Sequence, residues 1–319
     1  MRNRHLLSVG KRLLTGILLI LGVSFGTFAL FQLIPGSAAT LVGGEQGAAP
    51  EEIAAAKHRL GLDRPMIVQF GDWVDGAVHG DFGKSYTNDR PVTELIKQRF
   101  PVTLSLTLST IFLVIPMGTF LGVMAGANEG RKIDRLITAW CSLAVAMPTF
   151  WFGLLLALYL AVKANLLPAG GYVSLFDNPF EFVKHMLLPA LTLATPLSAG
   201  FSRQLRASMA ATLSQDYIRS SDARGMPRRV VLLKHALRNA ALPAVTLLGL
   251  QFISLLGGTV IAEAVFALPG MGSLVIAAVQ GRDVPVIQGV VFMAALIAIV
   301  VSMTMDVVYR LLDPRIKAV

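Results

Sequence analysis

Long uncharged apolar runs alternate with short charged stretches along the 319 residues. A helix needs about 20 apolar residues to cross a hydrocarbon layer about 30 Å thick. Six runs approach or exceed that length: 13–34, 102–127, 136–162, 186–202, 240–262 and 284–305. The fourth is the shortest and contains Pro189 and Pro196. None of the six holds Asp, Glu, Lys or Arg, as expected where a charge at the bilayer centre costs at least ~2.5–3.5 kcal/mol. The pattern predicts an all-α polytopic membrane protein with six transmembrane helices.

The connections carry their own patterns. Residues 35–101, after the first run, form a segment of mixed polarity. In "PEEIAAAKHRLGLDRP" acids occupy the first turn, Ile53 and Leu60 lie seven apart and Gly61 follows as a stop, which predicts a short amphipathic helix. In "MIVQFGDWVDGAVHGDFG" residues Ile67, Phe70, Trp73 and Val74 fall at helical spacing. Both predict a small cap packed on the membrane surface, with a substrate-contacting role as the alternative. The chain divides into residues 1–34 (tail and first span), 35–101 (external segment), 102–311 (a five-helix core containing a loop at 203–239) and 312–319 (tail).

Composition supports this picture. Charged residues make up 15% and hydrophobic ones 54%, against about 25% charged in soluble domains. The net charge of +9 could point to nucleic acid, but the basic residues interrupt apolar runs and build no single surface. They set orientation instead. With both termini inside, the inner segments hold 18 of the 28 basic residues and only six acids; the outer ones hold 10 basic and 13 acidic. The first apolar run has about 22 residues, longer than the 7–15 of a signal-peptide core, so it is expected to stay as an anchor.

Candidate chemistry is sparse. The single cysteine, Cys141, lies inside an apolar run. The histidines His5, His58, His79, His185 and His235 show no metal-ligand spacing. "GDFGKSY" at 80–86 resembles a phosphate loop only in part, because Val78 stands where that motif needs glycine. Its glycines are expected to make turns. An ion-coupled secondary transporter or channel normally places ionisable residues at depth, and the clean spans argue against that alternative. A membrane-bound scaffold or enzyme anchor is the other alternative. Asp306 and Arg310 are spaced as an i,i+4 pair.

The most informative stretch is "DYIRSSDARGMPRRVVLLKHALRNAALP", 216–243. Residues 214–224 suit a helix, Gly225 suits the left-handed conformation that ends one, and Pro227 suits the first turn of the next, which predicts two short helices with a tight bend at the cytoplasmic surface. On that second helix Val230, Leu233, Leu237 and Ala241 share a face, with Arg228, Arg229, Lys234 and Arg238 mostly elsewhere. A cationic helix lying on anionic lipid gains about 1 kcal/mol per basic residue. Such a helix has no need of a corner, whereas a protruding elbow offers a partner protein a shaped knob.

This stretch resembles the cytoplasmic coupling loop, or EAA loop, of ABC importer permeases, in particular the dipeptide, oligopeptide and nickel branch. "LIPG" closing the first span, "LGLDRP" and "GDFGKSY" in the external segment, "GGTVIAEAVFALPGMGSL" ending the fifth, "RDVPVIQG" opening the sixth and "LDPRI" near the end add to the likeness. The resemblance implies an ABC importer type I permease fold in a bacterial inner membrane and a subunit without ATPase activity or a cofactor of its own. It implies partners: a second homologous permease, two cytoplasmic ATPases that carry ATP and Mg, an external substrate-binding protein and the lipid bilayer, with no nucleic acid. It assigns ATPase coupling to Arg219, Ser220, Ser221, Asp222, Ala223, Arg224, Gly225, Met226, Arg228 and Arg229, with Arg224, Arg228 and Arg229 for rim charge pairs. Arg219, Ser220 and Ser221 replace the family's Glu-Ala-Ala, and Arg238 replaces a proline, so no pairing can rest on a loop glutamate. Glu263, with Phe266, Pro269, Gly270 and Gly272, is either an external gate or docking contact or a helix-end carboxylate. Similar permeases handle dipeptides, longer peptides, nickel complexes, glutathione and oligosaccharides, and the apolar spans do not choose among them.

Overall fold

A computed structural model describes residues 2–33, 58 and 63–312. The expected amphipathic helix bearing Ile53 and Leu60 lies outside the described residues, as do the side chains of Asp306 and Arg310. The described regular structure is helical apart from one isolated bridge between Lys84 and Pro91. In chain order the helices are α1 (Arg2–Leu33), α2 (Met66–Val78), α3 (Val92–Ala127), α4 (Lys132–Ala146), α5 (Thr149–Leu156), α6 (Pro179–Leu213), α7 (Asp216–Ala223), α8 (Arg228–Val230), α9 (Leu237–Val265), α10 (Met271–Gln280) and α11 (Val284–Leu312). Two π-helical segments, Ala157–Lys163 and Val231–Ala236, continue α5 and α8. The described residues form two compact units: 2–33, 58 and 63–101 with 270–300, and 102–269 with 301–312.

Three helical stretches, Val92–Ala127, Arg228–Leu255 and Val284–Met305, are long and apolar enough to cross a membrane. The third apolar run of the sequence is not one straight helix. It is α4 and α5 with its π-helical extension, bent by 100° at Met147–Pro148. Proline disfavours helical backbone at the residue before it, and Met147 is extended (ψ 129°). The fourth run sits within a 35-residue helix, α6, which passes through Pro189 and Pro196 unbroken. Asn178 starts it, accepting from the Phe180 and Glu181 amides at 3.2 Å each, and Pro179 follows at the first helical position.

In the first unit Trp73 of α2 packs with Phe70, Phe82 and Phe292. Ile67, expected on that face, is 77% exposed, and Ala77 is buried in its place on the helix. Gly80 and Gly83 both take positive φ, +82° and +81°, so "GDFGKSY" is a turn as its glycines suggested. That turn closes over the buried Asp283. The Ser85 hydroxyl donates to Asp283 Oδ2, and the Tyr86 and Thr87 amides donate to the same carboxylate at 3.1 and 3.3 Å. Burial, then the Asp283 charge, pushes the Tyr86 phenol up to about 12.

The second unit is built on α6. Gly118, Gly122 and Gly126 of α3 face Phe201, Leu205 and Met209 of α6 one turn after another. An added Cβ would meet those side chains at 2.5, 2.8 and 2.6 Å. Small residues four apart let two helix backbones approach this closely, as they do in membranes.

Candidate coupling site

Helix α6 ends at Leu213, two residues turn the chain, and α7 begins at Asp216. The Ile218 and Arg219 amides both donate to the Gln215 carbonyl, at 3.1 and 3.3 Å. Within α7 the Ser220 and Ser221 hydroxyls donate back to the carbonyls of Asp216 and Tyr217, at 3.0 and 2.9 Å. These are the helix-interior bonds that serines make when no cap is available. Arg224 follows α7, and its Nε donates to the Ser220 carbonyl at 3.1 Å. Gly225 then takes φ +74°, and the Met226 amide closes the turn on the Ser221 carbonyl at 3.3 Å. This is the left-handed helix end that the sequence predicts. Pro227 caps α8 from outside, one position earlier than expected, and its carbonyl accepts from the Val230 and Val231 amides.

Ile218 on one arm and Val231 on the other are fully buried, together with Ala236, Ala240 and Ala244, against Phe201, Leu205 and Met209. Met226 packs on the same cluster. The opposite side presents Arg219, Ser220, Ala223, Arg224, Gly225, Arg228 and Arg229, all exposed. Asp222 lies on the backbone of α7. Ser221 is buried and belongs to the packed side. The Asn239 side-chain amide donates to the Tyr217 hydroxyl at 2.8 Å, tying the start of α9 to α7.

Two expectations need correction. The second arm is no separate short helix, because α8 runs through the π-helical segment into α9. Its buried face is also not Val230, Leu233, Leu237 and Ala241. Leu233 is 60% exposed, and the buried positions are Val231, Ala236, Ala240 and Ala244. The five-residue step from 231 to 236 is one π turn, which takes one residue more than an α turn and shifts every later side chain on the face.

A charged pair unmarked by any motif lies at the base of the elbow. Arg206 of α6 grips Asp134 of α4 with two bonds, Nε to Oδ1 and Nη2 to Oδ2, the latter at 2.7 Å. The Gly130 amide donates to Oδ2 at 2.9 Å and the Thr138 hydroxyl to Oδ1 at 3.3 Å. Asp134 precedes the third apolar run, and its side chain is 4% exposed. The Arg206 hydrogen bonds hold its carboxyl at about 2, well below the usual range.

The gate candidates fall in different places. Glu263, in the last turn of α9, is fully buried and accepts from the Thr103 hydroxyl at 2.7 Å. Phe266 is buried too, and its carbonyl accepts from the Gly171 amide at 3.0 Å. Gly170 belongs there because an added Cβ would lie 2.4 Å from that carbonyl oxygen. Pro269 is exposed and lies in the second unit. Gly270 caps α10 and Gly272 lies in its first turn, both in the first unit.

Comparison with known proteins bears on what such an elbow serves. A putative peptide transport system permease protein of Brucella abortus (strain 2308) is 36% identical over 307 residues, 96% of this chain and 98% of that one. The dipeptide transport system permease protein DppB of Escherichia coli (strain K12) is 37% identical over 93% of this chain and 94% of its own. Among solved structures, a chain of the MetNI methionine ABC transporter in inward facing conformations superposes with a TM-score of 0.58 at 16% identity, covering 69% of this chain and 96% of that one. An amino acid ABC transporter with histidines gives 0.51 at 18% identity over 68% and 94%. These likenesses place the fold among ABC importer type I permeases. Residues 5–107 match the N-terminal region described as "Binding-prot-dependent transport system membrane comp, N-term", and residues 118–318 match "Binding-protein-dependent transport system inner membrane component". The chain therefore belongs to the family of binding-protein-dependent transport system inner membrane components.

Proposed function

We propose that this chain is the membrane-spanning permease subunit of an ATP-driven importer for peptides or related small solutes. The observation that carries the reading is the elbow at 216–229: a cationic knob exposed on one side and anchored on the other by Ile218, Met226 and Val231. Relatives named as peptide and dipeptide permeases, matching over nearly the whole chain, support peptides as cargo. Importers of this family work with ATPase and substrate-binding partners in the inner membrane. In the finer reading six spans put both termini in the cytoplasm, and a second homologous permease lines the path. Two ATPases hold ATP and Mg, and a binding protein delivers cargo outside.

This chain makes and breaks no bonds in the proposed cycle. The elbow, centred on Asp222, Ala223, Arg224, Gly225 and Met226, seats in a cleft of one ATPase. Arg224, Arg228 and Arg229 steer and orient it there, since rim charges act mainly on docking rate and register. Closure of the ATPase pair on ATP moves the elbow, and the elbow moves α6 and α9 because its buried residues are part of their core. The work lies in the difference between the ATPase's affinities for the two permease states, since equal affinity shifts nothing. Glu263 and Phe266, buried where α9 ends, are read as bracing the outer end of that helix.

The test is site-directed cross-linking in the assembled complex. Ala223→Cys and Arg224→Cys should each form a product with the ATPase whose yield changes when ATP is trapped. Products with lipid alone would end this reading. Peptide uptake by vesicles holding this chain without any ATPase would favour a secondary transporter instead.

A further inference from the structure

The Asp134–Arg206 pair lies outside every motif that the coupling reading uses, yet it sits where coupling has to pass. Arg206 is on the last turns of α6, immediately before the elbow. Asp134 is on the first turn of α4, just after the turn that follows α3. The charges around Asp134 on its own segment, Arg131, Lys132 and Arg135, are all exposed. Asp134 alone is turned inward, and both its oxygens are used twice: by Arg206, the Gly130 amide and the Thr138 hydroxyl. Its partner helix is gripped a second time on the same turn. An added Cβ on Gly126, in the last turn of α3, would lie 3.1 Å from the Arg206 carbonyl oxygen and 2.6 Å from Met209 Cβ.

We propose that Asp134 and Arg206 are positioning residues that fix the register of α3, the 128–131 turn and α4 against α6, so that a push on the elbow moves all four as one body. The proposal rests on the coupling reading and deepens it. The glycine-lined interlock of α3 on α6 is apolar along its length, and shape alone leaves such a seam free to step by a helical turn, about 5.4 Å. A two-bond ion pair, with a backbone amide aimed at the same carboxylate, fits one register only. Stability is not what distinguishes it, since apolar pairs of similar volume commonly replace buried ion pairs without loss. What an apolar pair cannot supply is the fixed register.

That contrast sets the test, run on the full transporter with its ATPases and binding protein in proteoliposomes. The double variant Asp134→Leu with Arg206→Met should fold, keep an Ala223→Cys cross-link to the ATPase and hydrolyse ATP. Peptide imported per ATP should drop about tenfold, within the range of directly coupled contacts. An unchanged import ratio in that variant overturns the proposal. Loss of the Ala223 cross-link in the otherwise unaltered protein overturns the coupling reading itself, which separates the two. Should the double variant not fold, spin labels at the exposed Lys132 and Gln204 of the otherwise unaltered complex decide the matter. One body requires the same distance with and without trapped ATP, and a change near the 5 Å of a one-turn step refutes it.

Discussion

Gly225 offers a quantitative test of the elbow. Its φ of +74° is strained for any L side chain, but nothing lies within 4 Å of where a Cβ would stand. Substitution therefore costs backbone strain and no collision. That strain is about 1–2 kcal/mol for an ordinary residue, and Asn tolerates the conformation better. Against a total stability of about 5–15 kcal/mol, Gly225→Val leaves the fold and the membrane insertion intact. The strain is relieved if the corner opens, so 1–2 kcal/mol becomes a population term. The closed-to-open ratio of the elbow falls by about 5–30-fold, and the apparent affinity for the ATPase falls by up to that factor. Coupled ATP hydrolysis, titrated with purified ATPase in proteoliposomes, should raise its half-saturation, by up to about 5–30-fold, for Gly225→Val and far less for Gly225→Asn. Excess ATPase should restore the maximal rate. A Val variant that titrates like the parent, or an Asn variant as impaired as Val, refutes the argument that the left-handed corner is what the ATPase reads.

Three further outcomes follow from the packing. Gly122→Leu drives a side chain into Leu205 Cβ at 2.8 Å and the Ser202 carbonyl at 3.0 Å. It should cost about 1–3 kcal/mol and lower the thermal midpoint in detergent, while Gly26→Ala, with nothing within 4 Å, should not. Thr103→Val removes a hydroxyl donor from the buried Glu263; a loss of about 1.5–3 kcal/mol in the same assay is expected, with Thr103→Ser close to the parent. Asp134 is held at about 2, below the ordinary carboxylate value of about 3.9. A lowered acid contributes stability that is complete above its unfolded value and is lost as pH falls through its folded one. The difference in thermal midpoint between the parent and Asp134→Asn should therefore be constant from pH 5 to 8; a difference that varies across that window contradicts the assignment.

The helices, the apolar runs and the corner at 225 are legible in the sequence because each depends on neighbours a few residues away. Uncharged length, a glycine ending a helix and a proline after it act over one or two turns. The family motifs are legible for the same reason. Where reading failed, a remote or cumulative effect intervened. The π turn at 231–236 has no composition that marks it, yet it carried the packed face from Val231 on to Ala236, Ala240 and Ala244. The 100° bend lay hidden in an unbroken apolar run, since Pro189 and Pro196 in another run broke nothing. Asp134 finds Arg206 72 residues away, Thr103 finds Glu263 160 away and Ser85 finds Asp283 198 away. Nothing in the local pattern of a carboxylate names its partner. What the sequence by itself determined was which segments are apolar enough to enter the membrane and where the chain must turn, because transfer free energy and backbone sterics are local. Which buried carboxylate is held by which donor, and so which helices move together, only the tertiary structure decided, because desolvated charges choose partners by position in space.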